Sequence, residues 1–142
     1  MTDHIAHAET TIAAPAERVW KALTDPAEIK QYMMGATVTS EYEEGSPITW
    51  KGEINGKSFA DHGTVKRVSP NQLLEYTHFS PMEGKPDAPE NYHTVTVRLT
   101  PDGTGTRVSL SQTNNATDDA RQHSEQNWSA MLGGLKKVAE AK

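Results

Sequence analysis

The chain contains no cysteine, which excludes disulfides, thiolate nucleophiles and thiolate metal sites. No apolar run approaches the roughly 20 residues of a membrane-spanning helix. The first residues, "MTDHIAHAETT", lack the basic start and apolar centre of a secretory signal, so a cytoplasmic location is expected. Basic charge is also scarce, with 14 Lys and Arg against 19 Asp and Glu and a net charge of −5. That balance lacks the footprint of a nucleic-acid binder, and the pairs Lys66-Arg67 and Lys136-Lys137 read as solvated. Catalytic motifs are missing too. There is no G-x-S-x-G nucleophile elbow. Neither HExxH nor a tight His/Asp cluster supplies the three or four ligands of a zinc site. "GTG" at 103–105 reads as a hairpin turn, not a phosphate loop. No cofactor, metal or catalytic residue is therefore assigned.

What remains is an ordinary chain of 142 residues with 35% apolar side chains, read as one domain over 1–142. "HIAHAETTIAA" opens as a strand. Pro15 stops it and suits a helix start, followed by Val19, Trp20 and Leu23 at helical spacing. Asp25 can cap a second helix with Pro26 at its first position; Ile29, Tyr32 and Met33 form its apolar stripe. From Gly35 the period becomes two, which predicts strands near 36–43, 47–55, 58–68, 71–79, 91–100 and 105–114. Turn signals join most of them. The exception is "SPMEGKPDAPEN", with three prolines, a loop long enough to suggest a lid. After Asn115, Trp128, Met131, Leu132, Leu135, Val138 and Ala139 recur every three or four residues. They predict a helix of roughly 22–25 residues, about 35 Å long. The expected class is α+β: a curved antiparallel sheet of about seven strands, two short helices, and a long C-terminal helix gripped by the sheet.

"TIAAPAERVWKALTDPAEIKQYM", "HGTVKRVSPNQLLEYTHF" and "NWSAMLGGLKKV" resemble the family named for the activator of the 90-kDa heat-shock-protein ATPase. That family lies within the START-like, or SRPBCC, superfamily, with the birch-pollen-allergen fold and polyketide cyclases. The resemblance runs from about residue 8 to 139. Two positions depart from it: relatives often carry tryptophan where Tyr32 stands, and glycine where Asn127 precedes Trp128. The resemblance implies a helix-grip fold with a cavity between sheet and C-terminal helix. It leaves function open among ligand carriers, cyclases and co-chaperones. The eukaryotic activator has a separate N-terminal domain, and only its C-terminal module is matched here.

Strand parity nominates the inward side chains. Ile48, Trp50 and Ile54 share a face, as do Leu74, Tyr76 and His78, with Leu73 and Phe79 on the other side. His93, Val95, Val97 and Leu99 point together, and so do Val108, Leu110, Gln112 and Asn114. Asp61 and His62 fall on opposite faces of a regular strand. His4 and His7 read as a solvated terminus, and Glu41, Glu43 and Glu44 as a solvated edge. An apolar interior with a few polar groups suits a small-molecule pocket, although each residue alone is also consistent with a packed core. The expected ligand site is Trp50, Tyr76, His78, His93, Gln112, Trp128, Met131 and Leu135. Burial against the aromatic and aliphatic members supplies affinity, His78, His93 and Gln112 orient a polar end, and the 79–91 loop gates access. The expected partner is a small hydrophobic or amphipathic molecule, bound by a monomer or homodimer. One alternative is a chaperone-associated interaction module linked to the stress response; a second is a cyclase-like or hydrolase-like enzyme. Gly133 and Gly134 remain to be explained, since together they weaken the long helix by roughly 1–2 kcal/mol relative to two alanines. Either could permit close approach to the sheet.

Overall fold

The computed structural model describes residues 4–33, 35–54, 56–81, 84, 86–115 and 117–141. Seven strands form one antiparallel sheet in the order β1-β7-β6-β5-β4-β3-β2. They are β1 (His4–Ile12), β2 (Thr37–Ser40), β3 (Pro47–Ile54), β4 (Lys57–Ser69), β5 (Leu73–His78), β6 (His93–Asp102) and β7 (Gly105–Asn115). Two short helices, α1 (Ala16–Thr24) and α2 (Pro26–Tyr32), link β1 at one edge to β2 at the other, and α3 (Asp118–Ala141) closes the chain. This is the expected helix-grip arrangement. No helix among the described residues is long and apolar enough to cross a membrane.

Local chemistry accounts for the joints. The Pro15 carbonyl accepts the Arg18 and Val19 amides, so proline stands one residue earlier than expected, at the N-cap of α1. Asp25 ends α1 and caps α2, its Oδ1 accepting the Ala27 amide at 3.0 Å. Arg18 ties all three helices together. It pairs with Glu28 at 2.7 Å and donates to the carbonyls of Val138 and Ala139, the C-terminal groups that a helix leaves open. β2 stops at Ser40, short of the expected 43. The Ser40 hydroxyl accepts the Tyr42 amide, and Tyr42 turns into the left-handed region at φ 53.

The inward faces are largely those that parity indicates. Ile48, Trp50, Leu74, Tyr76, Val95, Val97, Leu99, Val108 and Leu110 are buried with Leu132 and Leu135 of α3; the side chain of Ile54 lies outside the described ones. One assignment is corrected. Asn114 adopts φ 64 and turns towards the long loop, donating to the carbonyls of Glu90 and Tyr92. Asn115 takes the buried position instead, at 6% exposure. A left-handed residue resets the alternation, so simple period-two counting fails at that point.

β4 changes its pairing partner along its length. Its first part pairs with β3 and its last part with β5. Near the end of the β3-paired part, a side chain on Gly63 would lie 1.8 Å from the Thr77 carbonyl oxygen. Only glycine permits that approach. It brings Asp61, two residues before, alongside His78, one residue after Thr77.

Candidate functional site

α3 packs mainly on β1, with lesser approaches to β7, α1 and α2. Where it stands away from β3, β4 and β5, a partly open cavity of about 380 Å³ remains. The sheet contributes Trp50 from β3, Phe59 and Asp61 from β4, and Tyr76 and His78 from β5. Tyr32 and Met33, at the end of α2, form a side wall, and Ala36 lies beside them. Asn127, Trp128, Ala130 and Met131 of α3 close it.

The α3 lining follows helical spacing. Asn127, Ala130, Met131 and Gly134 lie at i, i+3, i+4 and i+7, on one face. Leu132, Leu135 and Ala139 form the neighbouring buried stripe. The two glycines now separate. A side chain on Gly133 would meet nothing within 4 Å, whereas one on Gly134 would lie 2.7 Å from Tyr32 Cβ. Gly134 therefore faces α2, not the sheet. Its missing side chain lets α2 rest directly on α3 and places Tyr32 and Met33 in the cavity wall.

Aromatic rings pack closely around the polar end. Trp50 lies 5.2 Å from Tyr76 and 4.9 Å, edge-on, from His78. His78 stacks on His93 at 6.3 Å between ring centres. His78 Nε2 is 3.0 Å from Asp61 Oδ2, while Asp61 Oδ1 is buried with no hydrogen-bond partner. Against an ionised carboxylate Nε2 is the donor, which leaves Nδ1 of a neutral imidazole as an acceptor. Trp128 Nε1 donates to Gln112 Oε1, fixing the indole against the cavity. The Tyr32 hydroxyl donates to the Ala22 carbonyl at 2.7 Å. Burial pushes the Tyr32 hydroxyl well above its usual range, with Tyr42, Tyr76 and Glu28 adding to it. Tyr76 is raised for the same reason, with help from Tyr42. Both remain neutral phenols at ordinary pH and supply no phenolate base. Among the described residues no group of three or more His, Asp or Glu side chains is placed to hold a metal ion. The arrangement can hold an apolar body against aromatic walls and meet a polar end with a carboxylate and an imidazole.

The model of the family described as "Activator of Hsp90 ATPase homolog 1-like protein" matches residues 13–140. The chain belongs to that family. No curated protein matches it. Among solved structures, ChR145 from Cytophaga hutchinsonii is 52% identical, with 96% of this chain and 94% of that chain covered and a TM-score of 0.84. More distant structures share the fold alone. MLL2253 from Mesorhizobium loti has 24% identity, coverage of 97% and 98%, and a TM-score of 0.78. CalU16 from Micromonospora echinospora has 23% identity, coverage of 91% and 70%, and a TM-score of 0.70.

Within this Hsp90-activator-like chain, Trp50, Tyr76, His78, Trp128 and Met131 of the expected set line the cavity; His93, Gln112 and Leu135 do not. His93 is buried behind His78, its Nδ1 donating to the Thr113 carbonyl at 2.9 Å. Gln112 is used by Trp128, and Leu135 lies fully in the core. Asp61, Phe59, Tyr32, Met33, Ala36, Asn127 and Ala130 were not nominated. Asp61 had a readable signal, because it lies opposite Trp50 in the β3–β4 register and on the other face from His62. No described residue of the 79–91 loop lines the cavity. Met82, Glu83 and Lys85 lie outside the described residues. The rest of the loop is tied to the other side of β4: Asp87 accepts the Tyr92 hydroxyl at 2.5 Å and approaches His62 at 3.1 Å. Phe79 stacks there on Tyr92.

Proposed function

We propose that this protein binds one small hydrophobic or amphipathic molecule in the cavity between β3–β5 and α3. The observation that carries the reading is the cavity itself. Its volume of about 380 Å³ falls within the roughly 300–1,000 Å³ typical of ligand pockets. Trp50, Tyr76, Phe59 and Met131 supply most of the apolar wall, and Asp61 with His78 supplies a polar corner. The family's helix-grip fold is consistent with this use.

Native mass spectrometry of gently purified protein should reveal a bound species, or a panel of aromatic and aliphatic compounds should raise the melting temperature. Ala130→Trp, which places a large ring at the cavity wall, should abolish the shift while leaving the fold intact. A broad panel with no bound species and no thermal shift refutes the proposal.

The family's description favours a second reading, contact with a heat-shock ATPase. Against it, Ile5 is the only large hydrophobic side chain exposed among the described residues, at 36%, and so offers no apolar docking patch. Stimulation of the host chaperone's ATPase, with co-purification, would favour that reading over ligand binding.

A further inference from the structure

The cavity's polar corner is one-sided. Among its described lining residues there is no lysine or arginine, and the only carboxylate is Asp61. That carboxylate has one oxygen on His78 Nε2 and the other buried without a partner. A neutral His78 that donates Nε2–H to Asp61 presents its remaining ring nitrogen as an acceptor. Two lining donors are already engaged, the Trp128 indole by Gln112 and the Tyr32 hydroxyl by Ala22; the Trp50 indole, the Tyr76 hydroxyl and the Asn127 amide are neutral donors, so they bring no positive charge to set against Asp61. Beside this acceptor corner stand the aromatic rings of Trp50, Tyr76 and Phe59. Ring faces attract cations and offer nothing to carboxylates.

We propose that the site selects apolar molecules carrying an organic ammonium head and discriminates against fatty acids and other anions of the same size. The proposal rests on the ligand-binding reading and sharpens it. The ammonium stands at the Asp61 carboxylate, the only carboxylate among the described lining residues, and its charge offsets that of the carboxylate. The aromatic walls hold the charge and the alkyl or aryl body. A carboxylate at the same place meets the like charge of Asp61 in a partly desolvated setting, with no lysine or arginine among the described lining residues to offset it.

Octylamine, octanol and octanoate form a matched probe set at neutral pH. Trp50 and Trp128 line the cavity, so intrinsic fluorescence reports binding directly, with calorimetry as a second readout. Octylamine is expected to bind tighter than octanoate by on the order of tenfold or more, with octanol between them. Asp61→Asn should remove most of the amine preference, read as the ratio of octylamine to octanoate affinity. His78→Gln, which keeps the carboxylate, should retain it. If Asp61→Asn does not fold, the comparison in the unaltered protein still decides. Octanoate binding as tightly as octylamine overturns the proposal, and so does a preference that survives Asp61→Asn. Octanol binding without discrimination sinks this inference alone. Failure of all three probes while other members of the broad panel bind overturns this inference alone, and failure of the whole panel sinks the ligand-binding reading with it.

Discussion

Two adjacent glycines in one helix should respond in opposite ways to the same substitution. In α3, alanine in place of glycine gains about 1 kcal/mol of helix propensity at either site. At Gly133 nothing lies within 4 Å of the new methyl group, so the full gain should appear. At Gly134 the methyl would lie 2.7 Å from Tyr32 Cβ and 3.6 Å from its Cα. Rotation of the Tyr32 ring cannot relieve that contact, because Cβ moves only with the backbone of α2. The ring is also held by the hydrogen bond from its hydroxyl to Ala22, and α2 is fixed through Glu28 to Arg18. Relief therefore requires the two helices to part by several tenths of an ångström. Overpacking of this kind costs about 1–3 kcal/mol, which cancels or exceeds the propensity gain. The expected gap between Gly133→Ala and Gly134→Ala is thus about 1–3 kcal/mol. At roughly 2–4 °C per kcal/mol for a chain near this size, that is a difference of several degrees in melting temperature. Thermal and urea denaturation followed by circular dichroism would measure it. Equal stabilisation by the two alanines would show that α2 does not rest on α3 at Gly134. Because Tyr32 also walls the cavity, Gly134→Ala should alter ligand affinity where Gly133→Ala does not.

Gly63→Ala should destabilise by about 3 kcal/mol or more, since its methyl would overlap the Thr77 carbonyl at a backbone that cannot yield; unchanged urea stability would contradict the close approach of Gly63 to Thr77. Trp128→Phe keeps a ring but strips Gln112 Oε1 of its donor, for an expected loss of about 1–3 kcal/mol. Trp128→Phe combined with Gln112→Leu should recover much of it, and no recovery would count against that bond. At alkaline pH the buried phenols should couple to unfolding. Burial raises Tyr42 to about 12, against an unfolded value near 10. The folded state holds this proton more tightly, so the contribution is complete below about pH 10 and is lost as the pH climbs towards 12. Tyr32 and Tyr76 act in the same direction. Tyrosinate absorbance rising together with loss of fold is the expected result, and full ionisation near pH 10 in a folded protein would refute it.

Hydrophobic periodicity made the elements legible because it is a local property. Leu74 and Tyr76 fall together on the core face, with Leu73 and Glu75 on the other, whatever lies opposite them, and Asp25-Pro26 starts a helix through its own side chain and ring. The same locality explains the failure at Asn114, where one left-handed residue resets the count and moves Asn115 inward. Cavity membership is a different kind of fact. Trp50 and Tyr76 were legible as inward-facing, but whether they touch α3 or empty space depends on where the helix leaves the sheet. His93 and Leu135 have equally good parity and lie outside the cavity. Gln112 faces inward as parity indicates and is taken up by an indole sixteen residues away. Asp61 escaped notice because its importance comes from Gly63, whose tight approach to Thr77 sets a carboxylate beside a histidine from another strand.

The order of strands and helices, the antiparallel sheet, the inward faces and the weakness of a helix containing Gly133 and Gly134 were settled by sequence alone, since each follows from interactions within a few residues. The partner of Gly134, the separation that leaves a cavity over β3–β5, and the pairing of Asp61 with His78 were decided only by tertiary structure. They depend on distances between segments far apart in the chain, which no local pattern encodes.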